Sequence, residues 1–191
     1  QDTLDGICLV AHENDCRAHL DGARLFNAVI GSGTDPARMV RDFDTISVCL
    51  SKGLGAPVGS VLVGDADTIT RSRRWRKTFG GGMRQSGILA AAGIYALENN
   101  IERLSEDHIR ASRLAESINA MDSFSVKLEG VQSNMVYVQC MEESASEVAR
   151  RLAELGVDVS VETDSIVRAV AHLHITDEDI DTAIEAFEKS Q

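Results

Sequence analysis

Three short segments in the first half of the chain contain residue types that could carry chemistry. An aspartate lies within His-Leu-Asp-Gly-Ala-Arg at 19–24, a lysine within Ser-Lys-Gly-Leu-Gly-Ala-Pro-Val-Gly at 51–59, and an arginine within Gly-Gly-Gly-Met-Arg-Gln at 80–85. A carboxylate can pair with a cation, an unpaired lysine amine can attack a carbonyl, and an arginine can bind a carboxylate. Each segment also contains glycine, which lets the backbone approach a planar ligand closely.

Asp21 follows residues 17–20, which predict a short strand, so we expect its side chain at the carboxyl end of that strand. In open α/β sheets this edge borders the crevice in which ligands bind. The alternative is that Asp21 only caps the helix that follows, since aspartate is a common N-cap residue. The residues alone leave both interpretations open.

Lys52 comes directly after an apolar run at 45–50 that predicts a buried strand. An amine at the rim of a buried strand is costly to bury unless it is paired or forms an imine with a carbonyl. The alternative is an ordinary surface lysine that opens a turn. A nucleotide phosphate loop is disfavoured, because the order of glycine and lysine does not match G-x-x-x-x-G-K-[ST].

Two cationic segments are harder to interpret. The glycines at 80–82 and the following Arg84 precede an alanine-rich helical stretch, and they could wrap the edge of a ligand or a neighbouring subunit. The run Arg-Ser-Arg-Arg-Trp-Arg-Lys at 71–77 is either the solvated face of a helix or, in part, the border of an anionic site. Neither segment indicates a function by itself.

Short apolar runs alternate with helical patterns and must position these residues. The predicted strands are 45–50, 60–63, 125–128, 135–139, 157–161 and 166–170, with a helix or turn at 6–11 feeding a strand near 17–20. The predicted helices are 66–77, 87–99, 101–121, 145–155 and one that starts at Thr176. We therefore predict an α/β fold of two domains. Residues 1–105 form a mostly parallel sheet covered by helices, and residues 106–191 form a small α+β domain.

Composition excludes several classes of protein. The formal net charge of -11 over 191 residues disfavours binding to a nucleic-acid backbone. No apolar run approaches the roughly 18 residues of a membrane span. The four cysteines form no CxxC pair, which favours a reducing compartment and hence the cytoplasm. His172 and His174 are predicted on one face of a strand without a third ligand, so no metal site is predicted.

Taken together and in this order, the segments resemble those of the low-specificity L-threonine aldolases. The matching stretches are Asp-Gly-Ala-Arg at 21–24, Ser-Lys-Gly-Leu-Gly-Ala-Pro-Val-Gly-Ser at 51–60 and Gly-Gly-Gly-Met-Arg-Gln at 80–85. That family belongs to the β-eliminating lyase group of fold type I enzymes, which are aspartate-aminotransferase-like and use pyridoxal 5'-phosphate (PLP). The resemblance runs from about His19 to the end of the chain. It implies that 1–105 is the C-terminal part of a PLP-binding large domain.

The resemblance also implies a role for each matching residue. Lys52 would bind the cofactor covalently as its Schiff-base lysine, and Asp21 would pair with the pyridinium nitrogen. Arg24 would contact the cofactor or the substrate carboxylate. Lys77 would lie near the substrate, and Arg84 would position a loop or a subunit interface.

In the second half, Arg-Ala-Val-Ala-His at 168–172 resembles the family's Arg-x-Val-Thr-His segment. The resemblance implies that Arg168 binds the α-carboxylate of the substrate, a group that suits a bidentate arginine. This chain departs from the pattern at Ala171, where threonine is usual, and at His174, where aspartate is usual. The alternative for Arg168 is a salt bridge at the rim of the domain.

The implied reaction is the retro-aldol cleavage of L-threonine or L-allo-threonine to glycine and acetaldehyde by a homo-oligomer, either a dimer or a tetramer. Two alternatives stay open, namely another fold type I reaction such as β-elimination, and an inactive truncated subunit. In the family, a phosphate-binding loop and a ring-stacking histidine precede the point where this chain starts. Neither His12 nor His19 matches that histidine, so we expect these residues alone to bind PLP weakly.

Overall fold

The computed structural model describes residues 1–191. It divides into two compact units, Gln1–Glu102 and Arg103–Gln191. The domain boundary predicted after residue 105 lies close to this division. No helix is both long and apolar enough to cross a membrane.

The first unit combines five helices with a three-stranded sheet of order β1-β2-β3. Its strands are β1 (His19–Gly22), β2 (Thr45–Cys49) and β3 (Ser60–Gly64), and its helices are α1 (Asp2–Glu13), α2 (Leu25–Ser32), α3 (Pro36–Val40), α4 (Ala66–Thr78) and α5 (Gly87–Asn99). Strand β1 runs parallel to β2, whereas β3 runs antiparallel to β2.

The sheet of this chain is therefore mixed, where a mostly parallel sheet was predicted. The connection between β2 and β3 explains the difference. It spans ten residues, 50–59, and contains no helix. A parallel neighbour needs a crossover of roughly a dozen residues or more, so this connection returns the chain antiparallel.

Helices α2 and α3 were not predicted as separate elements. They have only 8 and 5 residues, too few for a helical period to stand out in the sequence. Helix α4 was predicted and carries a clear start signal, because the Asp65 carboxylate accepts a hydrogen bond from the Thr68 backbone N–H at 2.8 Å.

Gly22 brings the end of β1 against its neighbours. A Cβ atom at this position would lie 2.6 Å from the Ser47 carbonyl oxygen and 3.3 Å from the Leu25 Cβ. Leu25 belongs to a small core with Met39 and Ile46, so the first turn of α2 packs directly on the sheet. Glycine at this position is what allows β1 to pass into α2 so closely.

The second unit contains an antiparallel sheet of order β4-β5-β7-β6. Its strands are β4 (Phe124–Val126), β5 (Met135–Cys140), β6 (Ser160–Thr163) and β7 (Ile166–Val170), and its helices are α6 (Leu104–Asn119), α7 (Ala145–Glu154) and α8 (Asp177–Lys189). A short 3-10 turn, Leu128–Gly130, follows β4.

One face of this sheet forms the core of the second unit. Val136, Val138 and Val167 are almost completely buried and belong to one cluster with residues of the three helices. Tyr137 alternates with the two valines along β5 and is 45% exposed, so it lies on the opposite face. Arg168, the partner of Tyr137 across β5 and β7, lies on that face as well.

Two predicted strands have different limits. The strand predicted at 125–128 spans Phe124–Val126, and the 3-10 turn begins two residues later at Leu128. The strand predicted at 157–161 starts only at Ser160. Gly156 adopts a left-handed φ of 85°, and the Val157 N–H donates back to the Leu152 carbonyl. Val157, which was predicted in the strand, therefore still belongs to the turn after α7.

We expect Gly22→Ala to lower the free energy of unfolding by about 1–3 kcal/mol, the usual cost of overpacking a well-filled site. The reason is the contact that an added methyl group would make with the Ser47 carbonyl oxygen. Gly6→Ala is the matched control, because a Cβ at Gly6 in α1 has no neighbour within 4 Å. Urea unfolding of both variants checks this, and equal stability of Gly22→Ala and the parent chain would contradict the packing argument.

Candidate active site

Asp21 and Lys52 lie at the same edge of the first sheet. Strands β1 and β2 are parallel, with Asp21 opposite Ser47 and Gly22 opposite Val48, so the carboxyl ends of the two strands meet at one edge. Lys52 is the third residue after Cys49, where β2 ends. Both side chains are exposed at this edge.

Asp21 does not cap the following helix, so the capping interpretation is wrong. Helix α2 has Arg24 as its N-cap residue and has no side-chain capping bond. Instead, Oδ1 of Asp21 accepts a hydrogen bond from the Ala23 backbone N–H at 3.1 Å. The other carboxylate oxygen has no hydrogen-bond partner in the chain, which leaves it available to a cationic N–H group.

The lysine loop, residues 50–59, is held by its own backbone. The Leu50 N–H donates to the Gly59 carbonyl, the Ala56 N–H donates to the Leu50 carbonyl, and the Gly55 N–H donates to the Lys52 carbonyl, each at 2.9 Å. The loop is therefore closed by hydrogen bonds at its base and around Lys52 itself.

Helix α5 holds the same loop from the side. Leu54 is only 3% exposed, and its carbonyl oxygen accepts a 2.7 Å hydrogen bond from the buried side-chain amide of Asn100, the residue that ends α5. Gly93 faces Leu50 so closely that a Cβ would lie 3.0 Å from the Leu50 Cδ1. A fixed backbone thus presents Lys52, whose amine forms neither a hydrogen bond nor a salt bridge within the chain.

Arg24 has an unsatisfied hydrogen-bond donor near Asp21. Its Nε atom is buried and has no partner, which is rare for a buried polar atom. A guanidinium with a free N–H fits a carboxylate or phosphate oxygen. Arg24 thus has a donor available for the anion-binding role implied by the resemblance.

Lys77 and the glycines at 80–82 meet at the end of α4. A Cβ at Gly82 would lie 2.6 Å from the Lys77 Cδ, and a Cβ at Gly81 would lie 3.0 Å from the Arg76 Cγ. Gly80 has a left-handed φ of 85°. These glycines therefore let the chain fold back across the last turn of α4, a structural need that is distinct from wrapping a ligand.

The end of α4 returns to the edge where the lysine loop emerges. Ser60, the first residue of β3, pairs with Cys49 across the antiparallel strands. Ser60 and Arg76 line one groove of about 430 Å³ between β3 and α4. Lys77 follows Arg76 in the chain at the end of α4, and Arg84 lies in the exposed segment after it.

In the second unit, Arg168 takes part in the salt bridge that the alternative interpretation requires. Its Nη1 lies 3.1 Å from Oε1 of Glu162, and the two side chains are 29% and 32% exposed. The salt bridge does not satisfy the whole guanidinium, because Nε is buried without a partner. Arg168 can therefore bind a second anion while it stays paired with Glu162.

His172 and His174 do not share a strand face, because β7 ends at Val170. Their rings lie edge to face with centroids 5.8 Å apart, and the His174 backbone N–H donates to the His172 Nδ1 at 3.3 Å. The pair is a local feature of the turn that precedes α8. Nowhere in the chain do three or more His, Cys, Asp or Glu side chains form a cluster that could hold a metal ion.

Three residues that contact a predicted site residue or the loop that carries one were not predicted. Asn100 supports the lysine loop, Glu162 pairs with Arg168, and Cys49 lies beside the lysine loop. Asn100 acts through a hydrogen bond to a residue that is distant in the sequence, and Glu162 acts through an ion pair between neighbouring strands. The sequence carries no local signal for either contact. A cysteine within the apolar run at 45–50 gives no signal in the sequence beyond that of a small apolar residue.

The pKa of the Cys49 thiol is lowered, and the positive charge of Lys52 contributes to this shift. Burial raises the pKa of the Cys49 thiol, but hydrogen bonds with Ser51 and Ser60 and the positive charge of Lys52 outweigh burial, so the net shift of the pKa is downward. By contrast, burial raises the pKa of the Cys8 and Cys140 thiols. Cys49 is thus a half-buried thiol with enhanced thiolate character.

The chain is similar in sequence to one protein family and to several known proteins. Residues 1–141 match the family model described as beta-eliminating lyase. The chain is 45% identical over 168 residues to the low specificity L-threonine aldolase of Escherichia coli strain K12, covering 88% of this chain and 49% of the relative. It is 40% identical over 184 residues to the low-specificity L-threonine aldolase 1 of Arabidopsis thaliana, covering 95% and 51%.

The fold is also found among solved structures. A crystal structure of a candidate L-allo-threonine aldolase from Listeria monocytogenes superposes with a TM-score of 0.83 at 23% identity, covering 98% of this chain and 56% of that chain. This likeness confirms the predicted fold type I class. The chain spans about half the length of the relatives that it matches.

We expect iodoacetamide at slightly alkaline pH to alkylate Cys49 faster than Cys8 or Cys140, because only the thiolate reacts. Lys52→Ala should slow alkylation of Cys49, since removal of the cation raises the thiol pKa, so that less thiolate is present at a fixed pH. The exposed Cys16 is the internal control and should react at the same rate in both proteins. Peptide mass spectrometry over time measures all four sites. An unchanged Cys49 rate in Lys52→Ala would show that the amine lies too far away to matter.

Proposed function

The chain belongs to the beta-eliminating lyase family, and we propose that it carries the Schiff-base lysine and substrate-binding residues of a PLP-dependent aldehyde-lyase. The proposed reaction is the retro-aldol cleavage of L-threonine or L-allo-threonine to glycine and acetaldehyde. Support comes from the 40% and 45% identity to two relatives named as low-specificity L-threonine aldolases.

One observation in the structure carries this proposal. The unpaired amine of Lys52 is presented by a rigid loop at the sheet edge where Asp21 also lies. The fixed backbone holds the exposed amine in one place, where it can form an imine with the carbonyl of a bound ligand. A surface lysine that merely opens a turn would not require hydrogen bonds on both sides and support from α5.

The residues of the first unit fit two parts of PLP, the pyridine ring and the aldehyde that reacts with a lysine amine. The free carboxylate oxygen of Asp21 can accept a hydrogen bond from a pyridinium nitrogen and keep it protonated. The unpaired Nε–H of Arg24 can donate to a carboxylate of the substrate or an oxygen of the cofactor. When bound, PLP supplies an electron sink for the electron pair of the broken Cα–Cβ bond.

The remaining roles concern the substrate. Arg168 is proposed to hold the α-carboxylate, with the Nε–H that lacks a partner in the chain as one donor. A held carboxylate fixes the orientation of the substituents on Cα and so favours breakage of one bond over the others. Lys77, beside the glycines at the end of α4, is proposed to contribute positive charge near the anionic substrate.

We propose that the first unit is the C-terminal part of a PLP-binding large domain and the second a small C-terminal domain of a cytoplasmic homo-oligomer. Large apolar side chains at the junction of α4 and α5 support a subunit contact, since extensive exposed apolar surface commonly marks an interface. Phe79 is 80% exposed and Ile88 is 84% exposed. Arg84 lies between them in the chain, which supports its proposed role at a loop or interface.

A second candidate function is β-elimination from an amino acid, which the name of the matching family favours. Both reactions would use the same lysine and the same cofactor, so the fold does not distinguish them. Their products do. Retro-aldol cleavage yields glycine and an aldehyde, whereas elimination yields ammonia and a keto acid.

We expect the purified chain to develop a visible absorption band with PLP, and borohydride reduction to fix the cofactor on Lys52, as mapped by peptide mass spectrometry. Lys52→Ala should lose the band, because no other amine occupies this loop. Lys127→Ala, which removes an 80% exposed lysine of the second unit, should retain it. Since PLP affinity is expected to be weak, the same measurement is made on a chain extended at its amino terminus. A reduced adduct on another lysine would reject the assignment of Lys52. So would the absence of a band in both the purified chain and the extended chain.

We expect the PLP-loaded protein to convert L-allo-threonine to glycine and acetaldehyde. Arg168→Lys should raise KM about tenfold to a hundredfold, since a charged hydrogen bond to the carboxylate is lost, and it should also lower kcat, since the substituents on Cα are held less firmly. Amino-acid analysis and a coupled alcohol dehydrogenase assay measure the two products. Release of ammonia and a keto acid in place of glycine would favour the β-elimination candidate.

A further inference from the structure

We propose that Glu162 is a positioning residue for Arg168, which it holds so that the Nε–Nη2 edge of the guanidinium faces the substrate carboxylate. This inference rests on the carboxylate-binding role proposed above for Arg168. It adds a specific residue to that role and a reason why the arginine can be paired and still bind substrate.

The contact between the two residues involves only one side of the guanidinium. Oε1 of Glu162 lies 3.1 Å from Nη1 of Arg168, and no other carboxylate is within ion-pair distance of this arginine. In arginine, Nη1 lies on the side away from the Nε–H, so this ion pair leaves the Nε–Nη2 edge free. That edge carries two parallel N–H groups, the arrangement that binds a carboxylate in a bidentate manner.

The Nε atom shows that this edge lacks a partner within the chain. It is buried and makes no hydrogen bond. An unsatisfied buried donor costs on the order of one hydrogen bond, so it calls for a specific partner. A substrate carboxylate at the Nε–Nη2 edge would satisfy the donor without displacing Glu162.

A bulge in β6 gives Glu162 its position. Ser160 pairs with Arg168 and Val161 pairs with Val167, but the next pair is Thr163 with Ile166. In an unbroken register, Glu162 would have faced Ile166. The bulge releases Glu162 from the ladder, and bulges commonly redirect a side chain next to a functional site.

The other neighbour of Arg168 across the sheet does not compete for its charge. Tyr137 on β5 pairs with Arg168 on the open face and carries a neutral ring that is 45% exposed. Glu162 is therefore the one charged group that restrains the guanidinium. Without it, the long arginine side chain would sample other rotamers, and binding of a carboxylate would then require it to be ordered.

The test follows the Nε–H signal of Arg168 by proton–nitrogen NMR of the chain, with glycine as the carboxylate probe. Arg168→Lys identifies the signal by removing it. Glycine is added at constant ionic strength, with sodium chloride as the salt control. We expect Glu162→Gln to raise the glycine concentration at half-maximal shift by about threefold, within the range of a partly exposed ion pair. Glu162→Asp should have a smaller effect, since it keeps the charge.

Glu143→Gln is the matched control, because it breaks another glutamate–arginine pair of the same unit, with Arg151. It should leave the glycine response unchanged, and circular dichroism should show that both variants are folded. Unchanged glycine binding in Glu162→Gln would overturn the positioning role. Tighter binding would overturn it as well, since it would make Glu162 a competitor for the guanidinium.

A third result would also overturn the inference. If the parent Nε–H fails to respond to glycine, or responds equally to chloride, Arg168 is not a carboxylate site. That result leaves the covalent attachment of PLP to Lys52 untouched, because the absorption band and the borohydride adduct test it separately.

Discussion

Parallel backbone pairing between β1 and β2 determines where the chemical groups of the first unit lie. Because Gly22 lies opposite Val48, both strands end at the same edge, and Asp21 shares that edge with the loop that carries Lys52. A slip of one residue would turn every side chain of β1 to the other face of the sheet. The close approach of Gly22 to the Ser47 carbonyl opposes such a slip, since a residue with a side chain does not fit there.

The elements with strong sequence patterns could be predicted, and the contacts between them could not. The helix at 87–99 and the strand at 166–170 are confirmed to the residue, because alanine-rich and β-branched runs have clear preferences. The antiparallel direction of β3 depends on the length of one connection. The hydrogen bond from Asn100 to the Leu54 carbonyl joins residues 46 positions apart, and the Glu162 bulge exists only in the pairing of two strands.

The same distinction applies to the candidate site. Motif resemblance identified Lys52, Asp21, Arg24 and Arg168 as candidates, and their proposed roles now rest on specific local environments. The two arginines each retain a buried Nε without a partner, in a chain whose net charge of -11 offers many carboxylates. The cations of α4 form no salt bridge at all, whereas Arg168 is paired with Glu162 through Nη1 alone. Positive charge that is not fully neutralised by carboxylates attracts anions to these positions, even in a protein that is acidic as a whole.

The ten residues between β2 and β3 have a consequence for how this protein can change during evolution. Most surface connections accept inserted residues at a small entropic cost. Here the connection is paired at its base, packed through Leu54 and Ala56, and bonded to Asn100. An added or deleted residue would break these contacts and move the lysine amine by up to the length of one residue, about 3.5 Å. We therefore expect insertions and deletions in this connection to be less well tolerated than substitutions.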